Sequence, residues 1–149
     1  MDLFKIFSIS GSGMAAQKSR MSVVAGNLAN SESTRTVEGG PYRRRDVIFQ
    51  ATPPAGEFTD ELNDLSAAEA RAQGVEVIGV KQSSRPPRQI FDPSHPDANG
   101  EGYVALPNVN PIEEMVDMLA AVRSYEANLS AFNTTKALVR KILDIGRMP

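Results

Sequence analysis

From Ile112 to Ile145 the sequence contains neither glycine nor proline, and this span limits the fold more than any other feature of the chain. Asn110 offers a side-chain oxygen to the free N–H groups of a helix start. Pro111 suits the first helical position, where its missing N–H has no partner to lose. Glu113 stands three residues after the cap, at the capping-box position, and Glu114 and Asp117 add negative charge at the positive end of the helix dipole. Lys136, Arg140 and Lys141 lie toward the other end, and Gly146 is a natural stop. One helix over Pro111–Ile145 would be roughly 50 Å long at about 1.5 Å per residue, several times the usual helix.

Apolar residues recur along this helix at heptad spacing. Met115, Val122, Leu129 and Leu143 form one row, with Lys136 interrupting it. Met118, Tyr125, Phe132 and Val139 form a second row, and Ile112, Leu119 and Ile142 widen the stripe. This is a coiled-coil type of seam. A second amphipathic helix is expected over residues 4–29, where Phe7, Met14, Met21 and Leu28 are spaced by sevens beside Phe4, Val24 and Ala25. Gly11 and Gly13 weaken its first half, so a kink or late start near Gly13 is expected. Asn30 is placed to end it in a left-handed conformation. Antiparallel pairing of the two helices would bring the chain ends together.

The middle of the chain reads as small β structure. Glu38-Gly39-Gly40-Pro41 is a turn, residues 42–50 a strand with Val47 and Phe49 facing one way, and residues 74–80 a β-branched, alternating strand. A turn over 83–87 and a return strand over 88–91 suggest a hairpin. Residues 92–100 are a turn-rich loop and 103–107 a short extended segment. Residues 51–73 are rich in Ala, Pro and acid (Glu57, Asp60, Glu61, Asp64, Glu69) and read as a flexible insertion or a short marginal helix over 59–73. The expected fold class is α+β, mainly α. Residues 1–36 and 107–149 would form a discontinuous coiled-coil core, with 37–106 as a small β-hairpin-containing middle region.

Several function classes lack support. The chain has no cysteine, which excludes disulfides and thiol chemistry. Its formal net charge of -2 gives no general case for nucleic acid. No apolar run is long enough to span a bilayer, so direct membrane insertion is not expected. The start of the sequence lacks the pattern of a cleaved secretory signal. Ser12-Gly13-Met14-Ala15-Ala16-Gln17-Lys18-Ser19 fails as a phosphate loop, because Gln17 and Ser12 stand where glycine is needed. His95 is the only histidine and lies between two prolines, with no second imidazole to share a metal and no nucleophile-elbow serine. Neither a catalytic residue nor a cofactor nor a metal site is expected. Arg43, Arg44 and Arg45 cannot all face one way on a strand. Pairing across a subunit interface, with the acids of 57–69 or of the long helix's start, suits them better than a nucleic-acid groove, and a solvated face is the commonest outcome for such a run.

Two ends and a middle then point the same way. Asn27-Leu28-Ala29-Asn30 closes the first helix, and Arg123-Ser124-Tyr125-Glu126-Ala127-Asn128 lies inside the second. Glu38-Gly39-Gly40-Pro41-Tyr42-Arg43-Arg44, Asp92-Pro93-Ser94-His95-Pro96 before Gly102-Tyr103-Val104, and Asn108-Val109-Asn110-Pro111-Ile112-Glu113-Glu114-Met115 stand between them. This ordered set resembles the axial proteins of the bacterial flagellar rod and hook, and within them the proximal rod. Residues 51–73 depart from that pattern. The resemblance implies paired terminal helices lining a tube, a small β part outside, and helical assembly with itself and other rod proteins in the periplasmic rod of the basal body. It also implies a base-ring or export-gate adaptor as a partner, and export by the flagellum's type III machinery without a cleaved signal. The assembly seam would then be Phe7, Met14, Met21, Val24 and Leu28 with Met115, Met118, Leu119, Val122, Tyr125, Leu129, Phe132 and Val139. A cytoplasmic helical-hairpin adaptor, or an export-chaperone-like binding module, is the other class that two such helices allow.

Overall fold

The computed structural model describes residues 3–52 and 74–146. Most of the acidic 51–73 segment lies outside the described residues. The element order is α1 (Leu3–Ala29), β1 (Arg45–Ala51), β2 (Val75–Gln82), β3 (Arg88–Phe91), β4 (Tyr103–Leu106) and α2 (Pro111–Ile145). The fold is α+β, dominated by its two long helices. Asn110 caps α2, its Oδ1 accepting the Ile112 N–H at 3.1 Å. The helix ends at Gly146, whose N–H reaches the Ile142 carbonyl.

Three local expectations change. First, α1 runs unbroken through Gly11 and Gly13. Second, no residue other than glycine has positive φ among the described residues, so Asn30 does not close α1 in a left-handed conformation. Instead its side-chain amide donates to the Gly26 carbonyl at 2.8 Å, while its backbone N–H bonds the same oxygen. Third, β2 and β3 do not form a hairpin. β1 pairs with β2, and β3 pairs antiparallel with β4, with Arg88 opposite Leu106 and Phe91 opposite Tyr103. Pro86 and Pro87 fix φ and bias the residues before them to extended backbone, which opposes the tight reversal that a hairpin over 83–87 needs.

The chain divides into two compact units. One comprises, of the described residues, 3–18, 49–52, 74–78 and 122–146. Here α1 and α2 run antiparallel: the Phe7 and Phe132 rings meet edge to face at 4.9 Å, and Gly13 lies against the Asn128 side chain, where a Cβ would come within 2.9 Å of its oxygen. That approach is why a glycine is tolerated mid-helix. Ser12 Oγ ties α1 to the strand region by accepting the Val75 N–H. The other unit comprises residues 19–48 and 79–121. It also holds the two helices antiparallel, with Arg20 bonded to Asp117 and Asn27 to Glu114. It contains the β3–β4 hairpin, on which Phe91 and Tyr103 pack edge to face. Val104, Pro107 and Val109 are buried there as the chain enters α2.

Candidate functional site

Two residues with large, fully buried side chains carry the second unit's most elaborate chemistry. Asn27 and Glu114 are both 0% exposed. Asn27 lies near the end of α1, three residues before the chain leaves the helix. Its amide Nδ2 donates to the Arg45 carbonyl at 2.8 Å and to Glu114 Oε2 at 3.0 Å. Its Oδ1 accepts the Tyr42 hydroxyl and the Arg45 N–H, each at 2.9 Å. Both donors and two acceptor sites of one amide are thereby used.

Glu114 sits in the first turn of α2, where the helix dipole favours its charge. Its other oxygen, Oε1, accepts from Arg44 Nε. The Arg44 guanidinium also reaches Asp46, and Asp117 at 3.5 Å. Burial alone would lower the affinity of Arg44 for its proton, but the hydrogen bond and negative charge of Glu114, with those of Asp46, outweigh that and raise it. Arg20 adds a second cation from α1, bonding Asp117 at 3.1 Å. A buried carboxylate with no partner would be costly. Here each Glu114 oxygen has one, and the fork of Arg44 supplies geometry that a lysine could not. The arrangement pins the end of α1, the start of β1 and the start of α2 to one another. Nothing in it activates a nucleophile.

The neighbouring turn presents different chemistry. Gly39 and Gly40 have φ of 87° and 77°, values that favour glycine, and Thr36 bonds across the turn to Gly40. The turn walls a cavity of about 410 Å³ lined by Tyr42, Arg43, Arg45 and Gln82 among others. A second hollow of about 200 Å³ lies between Tyr42–Arg44 and Ser83–Pro87. The strand begins later than expected, at Arg45, so Arg43 and Arg44 precede it, yet the three arginines do not share one environment. Arg44 turns to Glu114, whereas Arg43 and Arg45 line the cavity, with Arg45 5.6 Å from the centre of the Tyr42 ring. The pairing of Arg44 with the acids at the start of α2 is made within one chain rather than across subunits.

The remaining residues singled out from the sequence fall into three groups. Val24 is buried, and Phe7, Met14, Met21, Leu28, Met118, Val122, Tyr125, Phe132 and Val139 are half-buried. Met115, Leu119 and Leu129 are exposed, at 47%, 60% and 39%. Of the motif residues outside the lock, Asn128 is half-buried and bonds the Ser124 carbonyl, while Asn108 donates to the Pro86 carbonyl. Arg123, Glu126 and Ala127 face outward, as does Glu113. The α2 row that lies inward beside Met118, Tyr125, Phe132 and Val139 is Glu114, Ala121, Asn128 and Thr135. Hydropathy does not flag that row, because three of its four members are polar. Arg20 and Asp117 were not foreseen as partners. Their only sequence signal is that each falls on a helix face otherwise turned inward. His95 sits in the β3–β4 loop, its Nδ1 accepting the Asp97 N–H. Among the described residues, no group of three or more His, Asp or Glu side chains gathers as a metal site.

Comparison with known proteins places this geometry in a family. Residues 101–145, covering β4 and α2, match the family described as the C-terminal part of the flagellar basal body rod FlgEFG proteins. Over essentially its full length, the chain is similar to proteins named flagellar basal-body rod protein FlgC. The Bacillus subtilis protein is 41% identical over 152 residues, covering 99% of this chain and 100% of the relative. The Salmonella typhimurium protein is 39% identical over 147 residues with the same coverage. The Aquifex aeolicus protein is 43% identical over 145 residues, covering 97% of each. At these identities over nearly the whole length of both partners, the chain belongs to the FlgC family of flagellar basal-body rod proteins.

Proposed function

We propose that the chain is a structural subunit of the proximal rod, polymerising with itself and with other rod proteins into the tubular drive shaft that transmits torque. The observation that carries this reading is the full-length similarity to FlgC proteins. The exposed apolar row Met115, Leu129 and Leu143 on α2 is its physical support. Such a row on a charged helix is an incomplete core, and neighbouring subunits would complete it. Head-to-tail contacts that do not close into a ring give a helical tube. In this reading residues 1–36 and 107–149 form the tube-building core, and 37–106 form a smaller outer region. The work of the protein is packing, with no catalytic step. Its partners include a base-ring or export-gate adaptor and the type III export machinery that delivers it to the periplasmic rod.

Met115→Glu with Leu129→Glu tests the reading, because both side chains face solvent in the isolated chain. Cells carrying the pair should accumulate the folded protein, fail to build rods and not swim. Normal swimming with the variant incorporated into basal bodies would overturn it.

A further inference from the structure

The hollows beside the Gly39-Gly40 turn share Tyr42, Arg44 and Arg45 with the lock, but the side chains of Arg43, Arg45 and Arg85 make none of its hydrogen bonds. Arg43 and Arg45 line the larger one, and Arg43 and Arg85 line the smaller. Among the described residues, none of these three has an ion-pair partner. Arg44, the cation between them, is saturated by Glu114, Asp46 and Asp117. The smaller hollow is lined by no acidic residue, and the larger by one, Glu38. The stacking of Arg45 on Tyr42 fixes one guanidinium in place, which lowers the entropic cost of using it. The surface is therefore open, preorganised and positive, in a chain whose net charge is negative.

The same chain carries the complementary charge. Between Glu57 and Glu69 it has five carboxylates and no cation. We infer that the groove formed by Arg43, Arg45 and Arg85 is a docking surface for the acidic 57–69 segment of a second copy of this chain, adding an electrostatic contact between neighbouring subunits to the apolar one. The inference rests on the proposed self-assembly. Arginine forks match carboxylates in pairs. A contact of several exposed pairs is weak singly, and it gains from being repeated along a polymer held by other forces.

The absence of cysteine makes the test clean. Ser84→Cys lines the smaller hollow, and Glu61→Cys places a thiol in the acidic segment. Basal bodies isolated from cells expressing the double variant are oxidised mildly and resolved without reductant. The expected result is disulfide-linked multimers of this chain, with the linked pair confirmed by peptide mapping. Adding R43E, R45E and R85E should cut their yield roughly tenfold, and further adding E57K, D60K and D64K should restore it. Absence of linkage, linkage only within one chain, or linkage indifferent to both charge reversals would overturn the proposal. Swimming of the double-cysteine cells reports separately on rod assembly, so a failed contact is distinguishable from a failed rod.

Discussion

Asn27 is the residue on which the lock turns, since it alone joins the Tyr42 hydroxyl, the Arg45 backbone and the Glu114 carboxylate. An amide is the one side chain of this size that can donate twice and accept twice, so neither aspartate nor leucine can replace it at this position. Tyr42 gives the lock a readable titration. Burial raises the pKa of its phenol, the nearby Arg45 charge lowers it, and the Glu114 charge raises it, with the net shift upward from 10.0. The folded state therefore holds the proton more tightly than the unfolded chain does. Its contribution to stability is complete below the ordinary tyrosine pKa and is lost as pH rises through the raised one. Tyr42→Phe should cost about 1 kcal/mol at neutral pH, because Asn27 Oδ1 keeps only the Arg45 N–H. The difference between wild type and variant in urea unfolding should then shrink from about pH 10 upward. A difference that stays constant to pH 11.5 would refute this account.

At the scale of the elements, the seam between α1 and α2 is made of small and polar residues as much as of apolar ones. Ser10 and Ala16 of α1 are buried, as are Ala121 and Thr135 of α2. Thr135 and Asn128 satisfy their polar atoms on the carbonyls one turn back in α2, at 2.9 Å each. Gly13 admits Asn128 where any Cβ would meet its side chain. Alanine at position 13 therefore brings two opposed effects: about 1 kcal/mol of better helix propensity and a collision that costs on the order of 1–3 kcal/mol. Gly13→Ala alone should be neutral to destabilising. In an Asn128→Ala background the collision is gone, and the same change should stabilise. Urea midpoints of the four proteins measure this coupling, and additive effects would exclude the contact.

Across the described residues, many large apolar side chains stand in solvent. Ile112, Met115, Val116 and Leu119 are exposed at the start of α2, and Leu138, Ile142, Leu143 and Ile145 toward its end. Among the described residues, no helix is long and apolar enough to cross a membrane. A chain with such a surface should associate as its concentration rises. In sedimentation velocity the wild type should become polydisperse with increasing concentration, whereas the Met115→Glu, Leu129→Glu variant should hold a single sedimentation coefficient with unchanged circular dichroism. A stable, single species of wild type at every concentration would instead suit an adaptor that docks one partner.

Much of the fold was legible because it is local. The cap at Asn110, the stop at Gly146, the glycine turn at 39–40 and the heptad spacing of α2 are short-range rules, and each predicted its element to within a few residues. The motifs at the helix ends were also legible, but their purpose was not. Asn27 and Glu114 are 87 residues apart, and a polar residue on a helix reads as solvated until its partners are known. Strand pairing failed for the same reason, since adjacency suggested β2 with β3, whereas β2 pairs with β1 and β3 with β4. The unbroken span from Pro111 to Ile145 was determined by the sequence alone, through capping and the absence of breakers. Which of its faces turns toward α1 was decided only in three dimensions. There Gly13 of α1 admits Asn128 in one unit, and Arg20 and Asn27 of α1 bond Asp117 and Glu114 in the other, contacts that no local pattern in the sequence encodes.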